Sequence, residues 1–348
     1  MSQGYNPQIA LPRVVMTGCG HWFPENVLDN KFFDSLQIGS DAAWIEERTG
    51  ILERRSILSI SELMDLRHRR ITRKELLDKG RILSFADMAR IPWSINTERA
   101  GINPNTSQFT TVIAGTSVPD DDIPAHACTT AATLGITTSN AFDVNSACGT
   151  FVVQLHTARG LIRGGIANSI ATFVSERYTT RVDYADRKTC VLFGDSSVCS
   201  TLEAWRPGIK GLELLDTVVH SMPEGNRHIR MPDGEFFAQD GQAVQKFAIQ
   251  KTIAAAEEIL SRNNLTSTDL AYFVGHQANL RMLAMVANRL NLQPEQHLYN
   301  VDTMGNQGAT GAPSVLSQHW DRFQPGDLIV MSVVGAGLTW GSALFRAL

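Results

Sequence analysis

The residue in this sequence best placed to act as a nucleophile is Cys148, in the stretch F-D-V-N-S-A-C-G-T-F from 142 to 151. Phe142 and Val144 predict a strand that ends in a turn of small residues, and apolar side chains recur at helical spacing from Phe151 onward. Cys148 is therefore expected at or near the first turn of a helix, where unpaired N–H groups and the helix dipole favour a thiolate. Such a position can lower the pKa of a free cysteine, ordinarily about 8.5, by one or more units. Cysteine is also often a small core residue, so this stretch alone leaves both roles open.

Three further stretches carry groups that could assist a nucleophile. His276, in G-H-Q-A-N-L-R, follows an apolar strand, and sites in open α/β sheets gather at the carboxyl ends of strands. Asn306, in M-G-N-Q-G-A-T-G-A-P-S, is flanked by glycines that permit unusual backbone angles. The small residues Gly335-Ala336-Gly337 would let backbone N–H groups approach a ligand oxygen, as an oxyanion hole requires. Each stretch also has an ordinary explanation: a hydrogen-bonding histidine, a turn asparagine and close strand packing.

The composition indicates an ordinary soluble enzyme. The 348 residues are 43% hydrophobic and 19% charged, which suffices for a substantial core. A formal net charge of -4 argues against a general nucleic-acid binder. Five cysteines without a C-x-x-C pair predict neither a disulfide framework nor a zinc site, so we expect a reducing cytoplasm. The N-terminus lacks the pattern of a signal peptide, and no apolar run approaches the roughly 18 residues that would span a membrane.

Strands and helices alternate along the whole chain, which predicts an α/β protein. Ser40 is a candidate cap for a helix that carries Trp44 and stops at Gly50, and Pro92 must start, kink or end a helix between 85 and 100. The sequence R-P-G at 206–208 is the best boundary signal, dividing the chain into halves 1–205 and 206–348. Both halves show a similar alternation, which hints at an internal duplication.

A basic segment at about 56–81 interrupts this pattern. It contains R-H-R-R-I-T-R-K at 67–74, and five apolar residues could line one face of one or two helices. The polar side of the segment is either a solvated helix face or a docking surface for an acidic partner.

Taken together, these stretches form an ordered pattern: Cys148, then H-Q-A-N-L-R, then G-N, then G-A-G-L-T-W-G-S-A-L. With R-T-G-I-L-E-R-R at 48–55 and D-R-K-T-C-V-L-F-G-D at 186–195, the chain resembles β-ketoacyl-acyl-carrier-protein synthase III, of the thiolase-fold condensing enzymes. The resemblance covers nearly the whole chain except the basic segment. It implies two duplicated halves in a five-layered αβαβα sandwich, with the Cys148 helix buried between two sheets, and a homodimer.

The resemblance also implies a reaction. Cys148 would take an acyl group from acyl-coenzyme A, with the backbone N–H groups of Cys148 and Ala336 as the oxyanion hole. Malonyl-acyl carrier protein or malonyl-coenzyme A would then lose carbon dioxide, and His276 and Asn306 would donate hydrogen bonds to the enolate. Such donation requires a neutral imidazole. No metal or organic cofactor is expected.

Further positions match binding residues of the family. Those matching the coenzyme A site are Trp44, Arg48, Arg187 and Asn279. Those matching the docking patch for acyl carrier protein are Lys246, Arg281 and Arg289. Ile123 and Val334 stand at acyl-pocket positions where phenylalanine is common, and a smaller residue at 123 could admit a longer or branched chain.

Two rival functions follow from the same resemblance. An enzyme of this fold could transfer the acyl group without forming a carbon–carbon bond, but Asn306 favours condensation because simple transfer needs no enolate donor. The chain could also be an inactive partner in a heterodimer, against which the presence of Cys148, His276 and Asn306 argues.

Overall fold

The computed structural model describes residues 11–348, apart from the side chain of Gln242. Among these residues, no helix has the length and apolar character required to cross a membrane.

The strands of this part of the chain are β1 (Val14–Trp22), β2 (Asn26–Asp29), β3 (Glu53–Ser56), β4 (Gln108–Gly115), β5 (Thr137–Asp143), β6 (Ser169–Arg177), β7 (Asp195–Ala204), β8 (Leu212–Ser221), β9 (Ile229–Arg230), β10 (Ala238–Gln239), β11 (Tyr272–Gly275), β12 (His297–Leu298), β13 (Leu328–Gly335) and β14 (Thr339–Ala347). The α-helices of the same part are α1 (Asn30–Ser35), α2 (Ala42–Thr49), α3 (Ile60–Arg67), α4 (Arg73–Asp78), α5 (Phe85–Met88), α6 (Arg90–Ala100), α7 (His126–Leu134), α8 (Thr150–Arg163), α9 (Gly241–Arg262), α10 (Leu280–Arg289), α11 (Val301–Met304) and α12 (Gly311–Gln318).

Ten strands form a mixed sheet in the order β12-β11-β13-β14-β8-β1-β7-β6-β4-β5. From the centre outward, β1-β7-β6-β4-β5 in the first half corresponds to β8-β14-β13-β11-β12 in the second. The two halves join where β1 pairs antiparallel with β8, through Val15↔Glu213 and Met16↔Leu212. The boundary predicted at residue 206 falls in the connection between β7 and β8, and the strand order repeats on its two sides.

The helices lie in three layers around these strands. Apolar residues of α8 and α12, such as Leu155 and Val315, pack in one core with strand residues of both halves, such as Ile113 and Met331. Helices α5 to α7 cover the outer face of the first half, and α9 and α10 cover that of the second. The predicted α/β fold with a buried Cys148 helix is therefore confirmed.

The predicted helical segments are present, with two local differences. The N-cap of α2 is Asp41, whose Oδ1 accepts from the Trp44 N–H at 2.7 Å, so the prediction of Ser40 as the cap is wrong. Gly50 does end α2, in the left-handed conformation with φ of 69°. The predicted helix from 85 to 100 is two helices, and Pro92 lies in the first turn of the second, where its missing N–H costs nothing.

The basic segment forms α3 and α4, each with a capping box, Ser59 with Glu62 and Thr72 with Glu75. Leu63 and Leu76 are buried in a core that includes Phe33. Leu63 and Leu76 therefore tie the segment into the fold, whereas Ile60, at the start of α3, is 47% exposed.

Candidate active site

Cys148 lies between β5 and α8, and Gly149 is the N-cap residue of that helix. Ala147 has a φ of 47°, the left-handed region, so the backbone turns sharply just before the cysteine. The expected position at the start of a helix is confirmed. The expected lowering of the thiol pKa is contradicted, because burial, and secondarily the Glu176 carboxylate, raise the pKa of Cys148 to about 12.

The end of β13 packs directly against the backbone of Cys148. A Cβ added at Gly335 would lie 3.0 Å from the Cys148 nitrogen and 2.7 Å from the Gly149 nitrogen. Ala336 follows at once. In the described part of the chain, the N–H groups of Cys148 and Ala336 donate no hydrogen bond to a backbone carbonyl. Their role as an oxyanion hole stays a prediction.

His276 follows β11, whose last residue, Gly275, pairs with Ser332 of β13. Its imidazole is 9% exposed, and burial lowers its pKa to about 4. The ring is therefore neutral at pH 7, as an imidazole that donates to an enolate must be. Within residues 11–348, its buried Nδ1 has no hydrogen-bond partner.

Asn306 is held by backbone and side-chain hydrogen bonds. Its N–H donates to the Leu192 carbonyl at 2.8 Å, and its carbonyl accepts from the Gly194 N–H at 3.0 Å. Its side-chain Oδ1 accepts from the Gly308 N–H at 3.0 Å. This contact fixes the amide so that Nδ2 remains as a donor for a ligand.

The loop after Asn306 packs against Gln277 and Tyr178. A Cβ at Gly311 would meet the Gln277 side chain at 2.9 Å, and Gln277 is the neighbour of His276. A Cβ at Gly308 would meet the Tyr178 ring at 2.4 Å, and Tyr178 is among the residues that influence the pKa of Cys148. His276 follows β11, Ala336 follows β13, and the backbone of Cys148 packs against the end of β13. A single site formed by Cys148, His276 and Asn306 stays a prediction.

Two buried residues that influence the pKa of Cys148 were not identified from the sequence. Glu176 is fully buried near the end of β6, and Tyr178 follows that strand. Burial raises the pKa of Glu176 to about 8, although the Ser117 N–H and hydroxyl donate to its carboxylate. The sequence does contain a signal for Glu176 and Tyr178: both are titratable residues at the carboxyl end of an apolar strand. The same pattern had pointed to His276.

Comparisons with known proteins decide the family. Residues 142–223 match the family model described as 3-Oxoacyl-[acyl-carrier-protein (ACP)] synthase III, and residues 260–347 match its C-terminal counterpart. The chain is 33% identical over 347 residues to the β-ketoacyl-acyl-carrier-protein synthase III of Rhodobacter capsulatus, covering 96% of this chain and 99% of that protein. This chain belongs to the β-ketoacyl-acyl-carrier-protein synthase III family.

Two further relatives agree with this assignment. The β-ketoacyl-acyl-carrier-protein synthase III of Xanthomonas campestris is 32% identical over 347 residues, covering 95% of this chain and 97% of that protein. The crystal structure of 3-oxoacyl-(acyl carrier protein) synthase III from Pseudomonas aeruginosa superposes with a TM-score of 0.83 at 29% identity, covering 96% of this chain and 98% of that one. The chain is therefore a thiolase-fold condensing enzyme.

The structure brings together part of the expected coenzyme A site. The Arg187 guanidinium lies over the Trp44 ring, 4.9 Å from its centroid, and donates to the Gly39 carbonyl. Arg48 is exposed in the last turn of the same helix, α2. Asn279 has a structural role that the sequence did not reveal: its Oδ1 caps α10 by accepting from the Met282 N–H at 2.8 Å.

Lys246, Arg281 and Arg289 are all exposed, on α9 and α10. Arg281 and Arg289 are eight residues apart, so they share a face of α10. Arg281 also donates to the carbonyls of Glu46 and Glu47, which ties α10 to the C-terminal end of α2. The docking role of the three residues stays a prediction.

The two expected acyl-pocket residues lie in different surroundings. Ile123 is 83% exposed on the single chain. Val334 is buried among Ala248, Ala278 and Met282, beside the His276 loop. Its assignment to the acyl pocket stays a prediction.

Proposed function

We propose that this enzyme condenses the acyl group of an acyl-coenzyme A with malonyl-acyl carrier protein, releasing carbon dioxide, through an acyl-Cys148 intermediate. The observation that supports the proposal is a pair of donors: a neutral, buried His276 and an Asn306 amide whose Oδ1 is already engaged. A site with a nucleophile and two neutral donors can hold first a thioester and then an enolate.

The first step is acyl transfer to the sulfur. Because burial raises the pKa of Cys148 to about 12, the residue is a thiol at neutral pH, and its proton must leave before or during attack. The sulfur forms a bond to the thioester carbonyl carbon, and the oxyanion accepts hydrogen bonds from the N–H groups of Cys148 and Ala336. Collapse of the intermediate breaks the carbon–sulfur bond to coenzyme A, which leaves as the thiol.

The second step forms the carbon–carbon bond. The malonyl thioester loses its carboxyl group as carbon dioxide, and the electron pair moves onto the thioester oxygen as an enolate. His276 and the Asn306 Nδ2 donate hydrogen bonds to that oxygen, and no change in the protonation of His276 is required. The carbanion then attacks the acyl carbonyl carbon, and the bond from that carbon to the Cys148 sulfur breaks. The β-ketoacyl product leaves, and the released thiolate takes up a proton from water to restore the thiol. The proposed chemistry uses no metal and no organic cofactor.

Binding contacts outside the reacting centre support a nucleotide-bearing donor. An adenine could insert between Trp44 and Arg187, since the two already stack. The exposed charges of Lys246, Arg281 and Arg289 suit an acidic carrier protein.

We also propose a homodimer. Strand β5 lies at the edge of the ten-stranded sheet, and the exposed Ile123 is in the loop before α7, which packs on β5. A second copy could pair with this edge and cover Ile123. The hypothesis that Ile123 admits longer or branched chains predicts that Ile123→Phe shortens the accepted chain.

Malonyl-acyl carrier protein labelled with ¹³C in its free carboxyl group tests the condensation. The enzyme, loaded from acetyl-coenzyme A, should release one labelled carbon dioxide for each acetyl group consumed and yield acetoacetyl-acyl carrier protein. Consumption of acetyl groups without labelled carbon dioxide would instead show acyl transfer to another nucleophile. Release of neither product would favour the inactive heterodimer partner.

A further inference from the structure

Each of the two proposed enolate donors is followed in the chain by a buried glutamine. Gln277 follows His276, and Gln307 follows Asn306, and both glutamine side chains are fully buried. A buried amide is unfavourable unless its N–H groups and its oxygen are hydrogen-bonded. The partners of these two amides therefore show which parts of the chain they hold together.

Gln277 joins the His276 loop to helix α11. Its Nε2 donates to the Gly275 carbonyl at 2.8 Å, so it is bonded to the residue just before His276. Its Oε1 accepts from the N–H groups of Asn300 and Val301, at 3.1 and 3.2 Å. Because Asn300 is the N-cap residue of α11, this amide binds the start of α11 to the end of β11.

Helix α11 carries this restraint to Asn306. The helix is a single turn, in which the Met304 N–H donates to the Asn300 carbonyl at 2.9 Å and the Gly305 N–H donates to the Val301 carbonyl at 3.0 Å. Asn306 is the next residue after Gly305. Since the start of α11 is bonded to the end of β11, the point at which the chain reaches Asn306 is fixed relative to β11.

Gln307 is bonded to the same residue, Asn300. Its Nε2 donates to the Asn300 Oδ1 at 3.5 Å, and its Oε1 accepts from the Ser196 hydroxyl at 2.8 Å. The Asn300 Nδ2 donates to the Ser314 hydroxyl at 3.0 Å, and that hydroxyl lies 3.2 Å from the Gln307 Oε1. Asn300 is thus hydrogen-bonded to the residue that follows each of the two donors.

We propose that Asn300 and the two glutamines fix the position of His276 relative to Asn306, so that both donors can reach one enolate oxygen. The inference rests on the proposed condensation, in which the two residues act on the same oxygen. Asn300 is a positioning residue in this account, because it is 5% exposed and its side chain bonds to Gln307, Ser314 and Gln318. Fully paired polar networks in a core make it rigid.

Comparing Asn300→Ala with Asn96→Ala in the two half-reactions tests the proposal. Asn96 is a matched control, since it is also a buried asparagine, but its Nδ2 donates to the Thr201 hydroxyl at 2.7 Å, on the outer face of the first half. Acylation is followed by protein mass after addition of acetyl-coenzyme A. The acetylated enzyme is then mixed with ¹³C-labelled malonyl-acyl carrier protein, and the release of carbon dioxide is measured in a single turnover.

The proposal predicts that only the second half-reaction of Asn300→Ala is slow. Since a reacting group misplaced by about 1 Å can cost about a hundredfold in rate, carbon dioxide release should fall about tenfold or more, while acylation of Cys148 changes less than about twofold. Asn96→Ala should also be less stable, because it leaves a buried hydroxyl unpaired, but the ratio of its two rates should stay that of the wild type. Equal slowing of both half-reactions in Asn300→Ala, or normal carbon dioxide release, would overturn the proposal.

Removing one donor provides a second test. In Asn306→Ala the relative placement of the two donors no longer matters, so adding Asn300→Ala should slow carbon dioxide release by less than about twofold more. A further tenfold loss in the double variant would show that Asn300 acts independently of the donors and would overturn the proposal.

Two other variants serve if Asn300→Ala fails to fold. Gln277→Met and Gln307→Met each remove one amide at nearly constant volume. Both should slow carbon dioxide release and leave acylation unchanged, and normal release in both would refute the proposal.

The proposed condensation is judged by the wild-type enzyme alone. A wild type that releases labelled carbon dioxide, with an unaltered ratio of rates in Asn300→Ala, would retain the proposed function and lose this inference. A wild type that acquires the acetyl group but releases no carbon dioxide would overturn the proposed function, and the inference with it, because the two donors would have no enolate to bind.

Discussion

Substituting Gly335 by alanine is the sharpest structural test of how the nucleophile is positioned. The added Cβ would lie 2.7 Å from the Gly149 nitrogen, 2.8 Å from the Ser146 carbonyl oxygen and 3.0 Å from the Cys148 nitrogen. All three are backbone atoms, so no side chain can rotate away. Ordinary contact begins at 3.4 Å, and the loop that carries Cys148 must therefore move by about 0.7 Å.

The expected losses of rate and of stability follow from this displacement. Misplacing a reacting group by about 1 Å can cost about a hundredfold in rate, so we expect acylation to slow by roughly ten- to a hundredfold. The same overpacking should lower the free energy of unfolding by about 1–3 kcal/mol. The N–H groups of Cys148 and Ala336, the proposed oxyanion donors, would separate from each other, which adds to the loss in the acylation step.

Rapid quenching and intact-protein mass spectrometry with acetyl-coenzyme A would measure the acylation rate. Gly160→Ala is the control, because Gly160 is exposed in α8 and a Cβ there meets nothing within 4 Å. This control should acylate normally and gain about 0.5–1 kcal/mol of stability from the better helix former. Acylation of Gly335→Ala at the wild-type rate would show that the end of β13 does not position Cys148.

Four further predictions concern individual groups. Asn306→Ala should slow decarboxylation of malonyl-acyl carrier protein by about 10²–10³-fold while acylation continues, as measured by carbon dioxide release and protein mass; equal losses in both steps would contradict the enolate role. Because burial lowers the pKa of His276 to about 4, the imidazole stays neutral as the pH falls, and single-turnover decarboxylation should show no loss centred near pH 6.5. A decarboxylation rate that falls below pH 6.5 in the wild type but not in His276→Ala would refute the neutral imidazole. Trp44→Ala should raise the KM for acetyl-coenzyme A about tenfold but leave an acyl-pantetheine donor unaffected, since only the adenine stack is lost. Asn279→Ala should instead cost about 1 kcal/mol in thermal unfolding, because it removes the cap of α10; an increase in KM with unchanged stability would restore the sequence-based assignment to the coenzyme A site.

Features governed by local sequence were predicted well. The start of α8 next to Cys148 and the end of α2 at Gly50 follow from helical periodicity and from the tolerance of glycine for positive φ. The two helices of the basic segment were likewise visible in the spacing of Leu63 and Leu76. The order of the motifs along the chain indicated the family.

Features that depend on distant parts of the chain were not predicted. The pKa of Cys148 is raised by burial and, secondarily, by Glu176, which β6 brings into the same region. Neither the burial nor the position of Glu176 can be read from a window around the cysteine. Asn279 and Arg281 matched binding positions, yet their contacts cap α10 and α2. Asp41 and not the adjacent Ser40 caps α2 because the helix begins at Ala42, and sequence patterns do not locate a helix start to within one residue.

The most direct test of the central claim is the mass of the protein after exposure to acyl-coenzyme A thioesters from acetyl to dodecanoyl. The wild type should gain one acyl group, located on the peptide that contains Cys148, and Cys148→Ala should gain none. Addition of malonyl-acyl carrier protein should then restore the original mass with release of carbon dioxide. An adduct that persists in Cys148→Ala, or no adduct with any of the thioesters, would contradict the account.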